Sequence, residues 1–136
     1  MNKLFLLLSL VFTAITALSG QALDHVQGQI LIQVNASGEP SKFGMAPEEA
    51  LQEIGRIAQD LPGVEVRGLM TMAPHEDSPE AARPVFRRLR ELRDACREFP
   101  KSSRIEHLSM GMTQDFTVAI EEGATLIRVG SGLFLT

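Results

Sequence analysis

The sequence predicts an α/β domain whose strands run parallel, and three observations carry that prediction. Short runs of strand character recur along the chain: QILIQVN (29–35), VEVRGLM (64–70), Ile105–Ser109 and Thr125–Val129. Helical start and stop signals lie between successive runs. The connections have the length of right-handed parallel crossovers, so the order reads β-α-β-α-β-α-β. Four such strands, or five with an N-terminal run, fit a small open sheet or the second half of an eight-stranded barrel.

The first segment, 1–22, is apolar. One lysine, Lys3, precedes an apolar run from Leu4 to Ile15, and small residues follow up to Ala22. This is the form of a secretory signal peptide. The run is too short and too soon interrupted by Thr and Ser to make a stable membrane span. LVFTAIT (10–16) reads equally as a buried barrel strand, because such strands are continuously apolar. The remainder, 23–136, has a cytoplasmic character, which favours the strand and leaves export as the alternative.

The first clear strand, Gln29–Asn35, ends in the turn-rich Ala36-Ser37-Gly38-Glu39-Pro40. Pro47 opens a helix as its first residue, with Glu48 and Glu49 in the first turn. Ala50, Leu51, Ile54, Ile57, Ala58 and Leu61 form its apolar stripe, and Pro62-Gly63 ends it. After the strand Val64–Met70, Ser78 is placed to cap a long helix reaching about Phe99, with Pro84 delaying its start. Phe86, Leu89, Leu92, Cys96 and Phe99 should face inward. The opposite face, with Arg87, Arg88, Arg90, Glu91, Arg93 and Asp94, reads as a solvated surface.

Arg104 to Phe134 then reads as strand, helix, strand. Thr113 is the expected N-cap, Asp115 lies in the first turn, and Gly123 is the stop. The exits Ser109-Met110-Gly111-Met112 and Gly130-Ser131-Gly132 fall on one side of a parallel sheet. Small residues there let backbone N–H groups approach a ligand, and each turn adds a hydroxyl, which together describe a phosphate cradle. Arg128 points opposite to Val129 and so into the space between the turns. The bland readings are a strand-ending turn for Ser109 and Gly111, and a salt-bridged surface arginine for Arg128.

Other function classes are excluded or weakened. The 136 residues suffice for one domain with a core. A net charge of −4, without a basic run or aromatic cluster, argues against nucleic acid. Cys96 is the only cysteine, so no internal disulfide or cysteine metal site forms; it reads as core. His25, His75 and His107 have no ligand spacing, so no metal is expected. His75 reads as solvated and His107 as structural. Neither GxxxxGK[ST] nor GxGxxG is present.

At LIQVNASGEPSKFG (31–44), RGLMTM (67–72), HLSMGMTQDF (107–116) and IRVGSGLF (127–134) the chain resembles the pyridoxal phosphate homeostasis family, the YggS/PROSC group. That family is related to the barrel domain of alanine racemases. The resemblance implies a partial (β/α)8 TIM-type barrel, the last four strands with their helices, with pyridoxal 5'-phosphate at the C-terminal strand ends. Ser109, Met110, Gly111, Gly130 and Ser131 match the phosphate-binding turns, Ser131 standing where the family usually has Thr. Arg128 matches the arginine facing the pyridine nitrogen, and Met70 and Asn35 match barrel-mouth positions.

The resemblance also marks departures. The family's Schiff-base lysine belongs to a first strand without a counterpart here; of Lys3, Lys42 and Lys101, neither Lys42 nor Lys101 matches it, and Asn2-Lys3 resembles instead an Asn-Lys pair before the family's fourth strand. Binding is therefore expected to be non-covalent and weak, in a protein reading as truncated. The family usually has Gly where this chain has Leu135. The expected function is cofactor binding of the homeostasis type rather than catalysis. The alternatives are a non-binding remnant or exported fragment, and a racemase-like enzyme, for which no tyrosine exists to complete an acid/base pair. Beyond the small-molecule cofactor, the expected partner is a second copy or a complementing N-terminal half.

Overall fold

A computed structural model describes residues 28–40, 42–97 and 104–134. The segment 1–22, and with it Lys3, as well as Phe99, Lys101 and Leu135, lie outside the described residues. Four strands, β1 (Gly28–Gln33), β2 (Val64–Met70), β3 (His107–Met112) and β4 (Leu126–Arg128), form one sheet in the order β1-β2-β3-β4. Every pairing is parallel, as the crossover lengths predict. Helices α1 (Pro47–Asp60), α2 (Arg83–Cys96) and α3 (Phe116–Glu121) fill the three crossovers.

Register assigns the two faces of the sheet. Ile32 pairs with Leu69, and Leu69 with Leu108; all three are buried in the core with α1 and α2 residues. The next residue along each strand turns the other way. Gln33, Met70 and Ser109 therefore share the opposite face at one level. β1 and β4 each end the sheet on one side, so each has an edge without a strand partner among the described residues. Ile30 on β1, and Leu126 and Ile127 on β4, are exposed along those edges.

The helices form where the pattern places them. Pro47 begins α1, and Glu49 Oε2 accepts from the Ala46 N–H at 3.1 Å, closing the first turn. Ala50, Ile54 and Ile57 are buried from α1, followed by Leu61 just past its end. Pro84 does delay α2: a 3-10 turn, Pro79–Ala82, comes first and α2 starts at Arg83. Ser78 gives that turn no side-chain cap. Phe86, Leu89, Leu92 and Cys96 face inward, and burial pushes the Cys96 thiol up to about 11. β3 starts two residues later than the apolar run suggests, because Ile105 is spent as a core plug before pairing begins.

The outer face of α2 is exposed at Arg87, Arg88, Glu91 and Asp94, as a solvated surface should be, and it also carries an ion-pair cluster. Glu122, just past α3, has a side chain only 5% exposed and gathers three arginines of α2. Arg83 Nη1 lies 3.0 Å from Oε1, Arg87 Nη2 3.4 Å from Oε1, and Arg90 Nη1 2.7 Å from Oε2. Arg83 also pairs with Glu80 and Glu121. A buried carboxylate is costly alone, and three cations at i, i+4 and i+7 of one helix compensate it. The periodicity was visible in the sequence, but the distant acid was not.

Burial raises the Glu122 pKa, yet Arg83, Arg90 and Arg87 together hold it below the ordinary 4.5. A depressed folded-state carboxyl adds stability above the unfolded-state value, and that stability is lost as pH falls through the folded value. Glu122→Gln should therefore cost about 3 kcal/mol at neutral pH. Thermal melts of both proteins should converge as the pH drops below that ordinary value.

Candidate functional site

β3 and β4 leave the sheet at the same end, and their exits build the site. Near the end of β3 Gly111 has φ +93°, within the irregular stretch between the Ser109–Leu126 and Met112–Arg128 pairings. Asp115 Oδ1 accepts from the Met112 N–H at 2.6 Å, tying that stretch to the start of α3. At the β4 exit the chain passes Gly130 into a 3-10 turn, Ser131–Leu133. Thr113 fastens one exit to the other: its Oγ1 accepts from the Gly132 N–H at 3.2 Å and from the Ser131 hydroxyl at 3.3 Å. Thr113 is thus not the expected N-cap of α3, whose flanking residue is Asp115.

Arg128 reaches back across the sheet from β4. Its Nη1 donates to Ser109 Oγ on β3 at 2.6 Å, and its Nη2 donates to the Thr71 carbonyl just past β2 at 2.9 Å. Thr71 is itself fixed, being buried and donating its hydroxyl to the Val34 carbonyl at 2.8 Å. No carboxylate lies in ion-pair range of Arg128 among the described residues. Burial pushes its pKa below the usual guanidinium value, and the Asp115 charge opposes that shift. The group stays cationic.

These pieces line one cleft of about 610 Å³. Thr113, Asp115, Arg128, Gly130 and Ser131 line it, together with His75 and Glu76 of the β2–α2 connection. The volume falls in the range of roughly 300–1,000 Å³ common for small-molecule sites. A second cleft of about 590 Å³ opens at the other end of the strands, beside Ile54 and Leu61. Its charged groups already answer each other, with Arg104 Nη1 2.7 Å from Glu65 Oε1. In the first cleft Arg128 has no ion-pair partner among the described residues, although Glu76 and Asp115 line it as well.

The sequence-predicted residues do not all gather at the cleft. Arg128, Gly130 and Ser131 line the cleft, and Ser109 is joined to it through Arg128. Met70 shares the face and level of Ser109. Met110 is fully buried in the core, and Gly111 is buried against α3. Asn35 is spent on its own loop: its amide donates to the Glu39 and Lys42 carbonyls, and Oδ1 accepts from Ser37 and Gly38. His107 Nδ1 lies 3.3 Å from Thr125 Oγ1, a structural contact. His75 is exposed yet forms part of the cleft wall. Sequence reasoning missed Thr71 and the bridging role of Thr113, since neither residue contacts its partners locally.

A four-stranded parallel sheet with helical crossovers, carrying a cation between two turns at the C-terminal ends of its strands, places the chain among α/β folds of the barrel type. Residues 12–136 match the family described as alanine racemase, N-terminal domain, and the chain belongs to that family. Among its curated relatives, the pyridoxal phosphate homeostasis protein of Aquifex aeolicus is 49% identical over 112 residues, which is 82% of this chain and 48% of that protein. The pyridoxal phosphate homeostasis protein of Vibrio alginolyticus is 39% identical over 107 residues, 78% of this chain and 44% of that one. The chain thus spans about half the length of these relatives.

Solved structures agree with the fold. A crystal structure of an unknown protein from Bifidobacterium adolescentis superposes with TM-score 0.72 at 40% identity, covering 80% of this chain and 44% of that one. PipY of Synechococcus elongatus with bound pyridoxal phosphate superposes with TM-score 0.68 at 30% identity, covering 80% and 50%. The four strands are therefore part of an α/β barrel, as the sequence predicts. Among the described residues no helix is long and apolar enough to cross a membrane.

Gly111 tests how the β3 exit is built. A Cβ there would meet Ala119 Cβ at 2.6 Å and Phe116 Cα at 3.0 Å, on a backbone with positive φ. Gly111→Ala should cost roughly 2 kcal/mol or more, read as a lowered melting temperature.

Proposed function

We propose that this chain binds pyridoxal 5'-phosphate non-covalently, with the phosphate at the turns after β3 and β4 and the ring over Arg128. The observation that carries the reading is a half-buried guanidinium without a carboxylate partner, set in the wall of a cleft beside two small-residue turns. Such a cation favours an anionic guest, because the desolvation is already in place. The names of the homeostasis relatives and the pyridoxal phosphate bound to PipY support the same guest. The residues that would hold it are Arg128, Gly130, Ser131 and the β3 exit.

When bound, the cofactor supplies an aldehyde and an electron-withdrawing ring. Arg128 does not release its proton, so it would orient the pyridine nitrogen without protonating it and leave the ring a weak electron sink. No lysine lines the cleft among the described residues; Lys42 lies in the loop after β1. Carriage of the cofactor fits these groups better than catalysis on it.

Titration followed by absorbance and calorimetry checks this. Saturable binding that resists covalent trapping by borohydride is expected, with Arg128→Leu weakening it at least about tenfold, the loss of one charge-assisted contact. An Arg128→Leu affinity equal to the wild type would contradict the reading.

Assembly follows from the same fold. Two parallel edges and the exposed Ile30, Leu126, Ile127, Leu133 and Phe134 leave apolar surface without a partner among the described residues. The chain made alone should self-associate, measured as concentration-dependent mass by light scattering. A monodisperse monomer with a cooperative melt would count against this.

A further inference from the structure

We propose that Thr113 is a built-in plug of the phosphate cradle, setting how strong an anion must be to enter. Its Oγ1 accepts two hydrogen bonds at once, from the Gly132 N–H at 3.2 Å and the Ser131 hydroxyl at 3.3 Å. One backbone N–H and one hydroxyl converging on a single oxygen is the contact a phosphate oxygen would make at a turn. The Thr113 hydroxyl stands where that oxygen would stand.

A second observation concerns the shape of the turn. A Cβ on Gly132 would lie 2.7 Å from Thr113 Cγ2 and 3.4 Å from Thr113 Oγ1. Gly132 has no positive φ requirement, so its missing side chain serves this close approach. The β3 exit and the β4 exit are thus pressed together through Thr113, and the cradle is closed by its own hydroxyl. Thr113 also lines the cleft with Arg128, Gly130 and Ser131.

The plug works by competition. An incoming oxyanion must turn the Thr113 side chain away and replace one neutral acceptor by a charged one. A phosphate dianion gains enough from Gly132, Ser131 and the nearby Arg128 to do so, because hydrogen bonds to charged acceptors are the stronger ones. A neutral or weakly accepting guest does not. Thr113 therefore weakens every guest that enters the cradle, and only an oxyanion that accepts more strongly than the hydroxyl displaces it. This rests on the phosphate reading of the cleft given above.

The test is direct binding of inorganic phosphate and of pyridoxal phosphate to four proteins by calorimetry. Thr113→Ala removes the competing hydroxyl and should tighten both on the order of three- to tenfold, the worth of about one hydrogen bond. Gly132→Ala should act in the same direction by pushing Thr113 out of the turn. Thr113→Ser keeps the hydroxyl and should bind like the wild type. Weaker binding by Thr113→Ala would make the residue a ligand contact and overturn the plug, and unchanged binding in both alanine variants would overturn it as well. Wild type and variants all failing to bind either anion would overturn the phosphate reading itself, and the plug with it. Circular dichroism melts of each variant separate these outcomes from loss of folding.

Discussion

The arrangement depends on one constraint: a guanidinium that cannot lose its charge is half-buried with no carboxylate in ion-pair range among the described residues. Arg128 meets the constraint with neutral acceptors drawn from two other strand ends, Ser109 Oγ and the Thr71 carbonyl. Three neighbouring strands are thereby registered to one another at their exits. The positive charge, offset in part by Asp115 but without an ion-pair partner among the described residues, faces the cleft in which an anion is proposed to bind.

Two other ties hold the walls in place. The Glu122 cluster locks the end of α3 to the first half of α2, and the β2–α2 connection that carries His75 leads directly into that half. Thr113 holds the β3 and β4 exits together. The contrast between these ties is informative. The Glu122 cluster is multiply connected and buried, so it belongs to stability. The Thr113 contact is one hydroxyl oxygen that accepts two hydrogen bonds at the cleft, so it ties the two exits more lightly.

Much of the fold was legible in the sequence because it is written in local chemistry. Pro47 and Pro62-Gly63 bracket α1, Pro84 delays α2, and the residues of β2 are those of the apolar run. The family could be recognised because its motifs sit in the turns themselves. What stayed hidden lies at long range. Glu122 is separated by more than thirty positions from the arginines it pairs with. Thr113 carries a helix-capping signal, but the hydroxyl is claimed by a turn of the next strand. Gly111 signals an approach of backbone to ligand, yet its missing Cβ makes room for Ala119 and Phe116. Local rules cannot say which of two suitors a small side chain will take.

Phosphate should bind at the exits of β3 and β4, and not at the second cleft on the opposite end of the sheet. A phosphate titration followed residue by residue in amide NMR spectra tests it most directly. The account predicts saturable shifts concentrated at Met112, Thr113 and Gly130–Gly132, with the Arg128 side-chain resonances moving in step. Shifts centred instead on Gly28, Glu65 and Arg104, with the β3 and β4 exits unmoved, would contradict it.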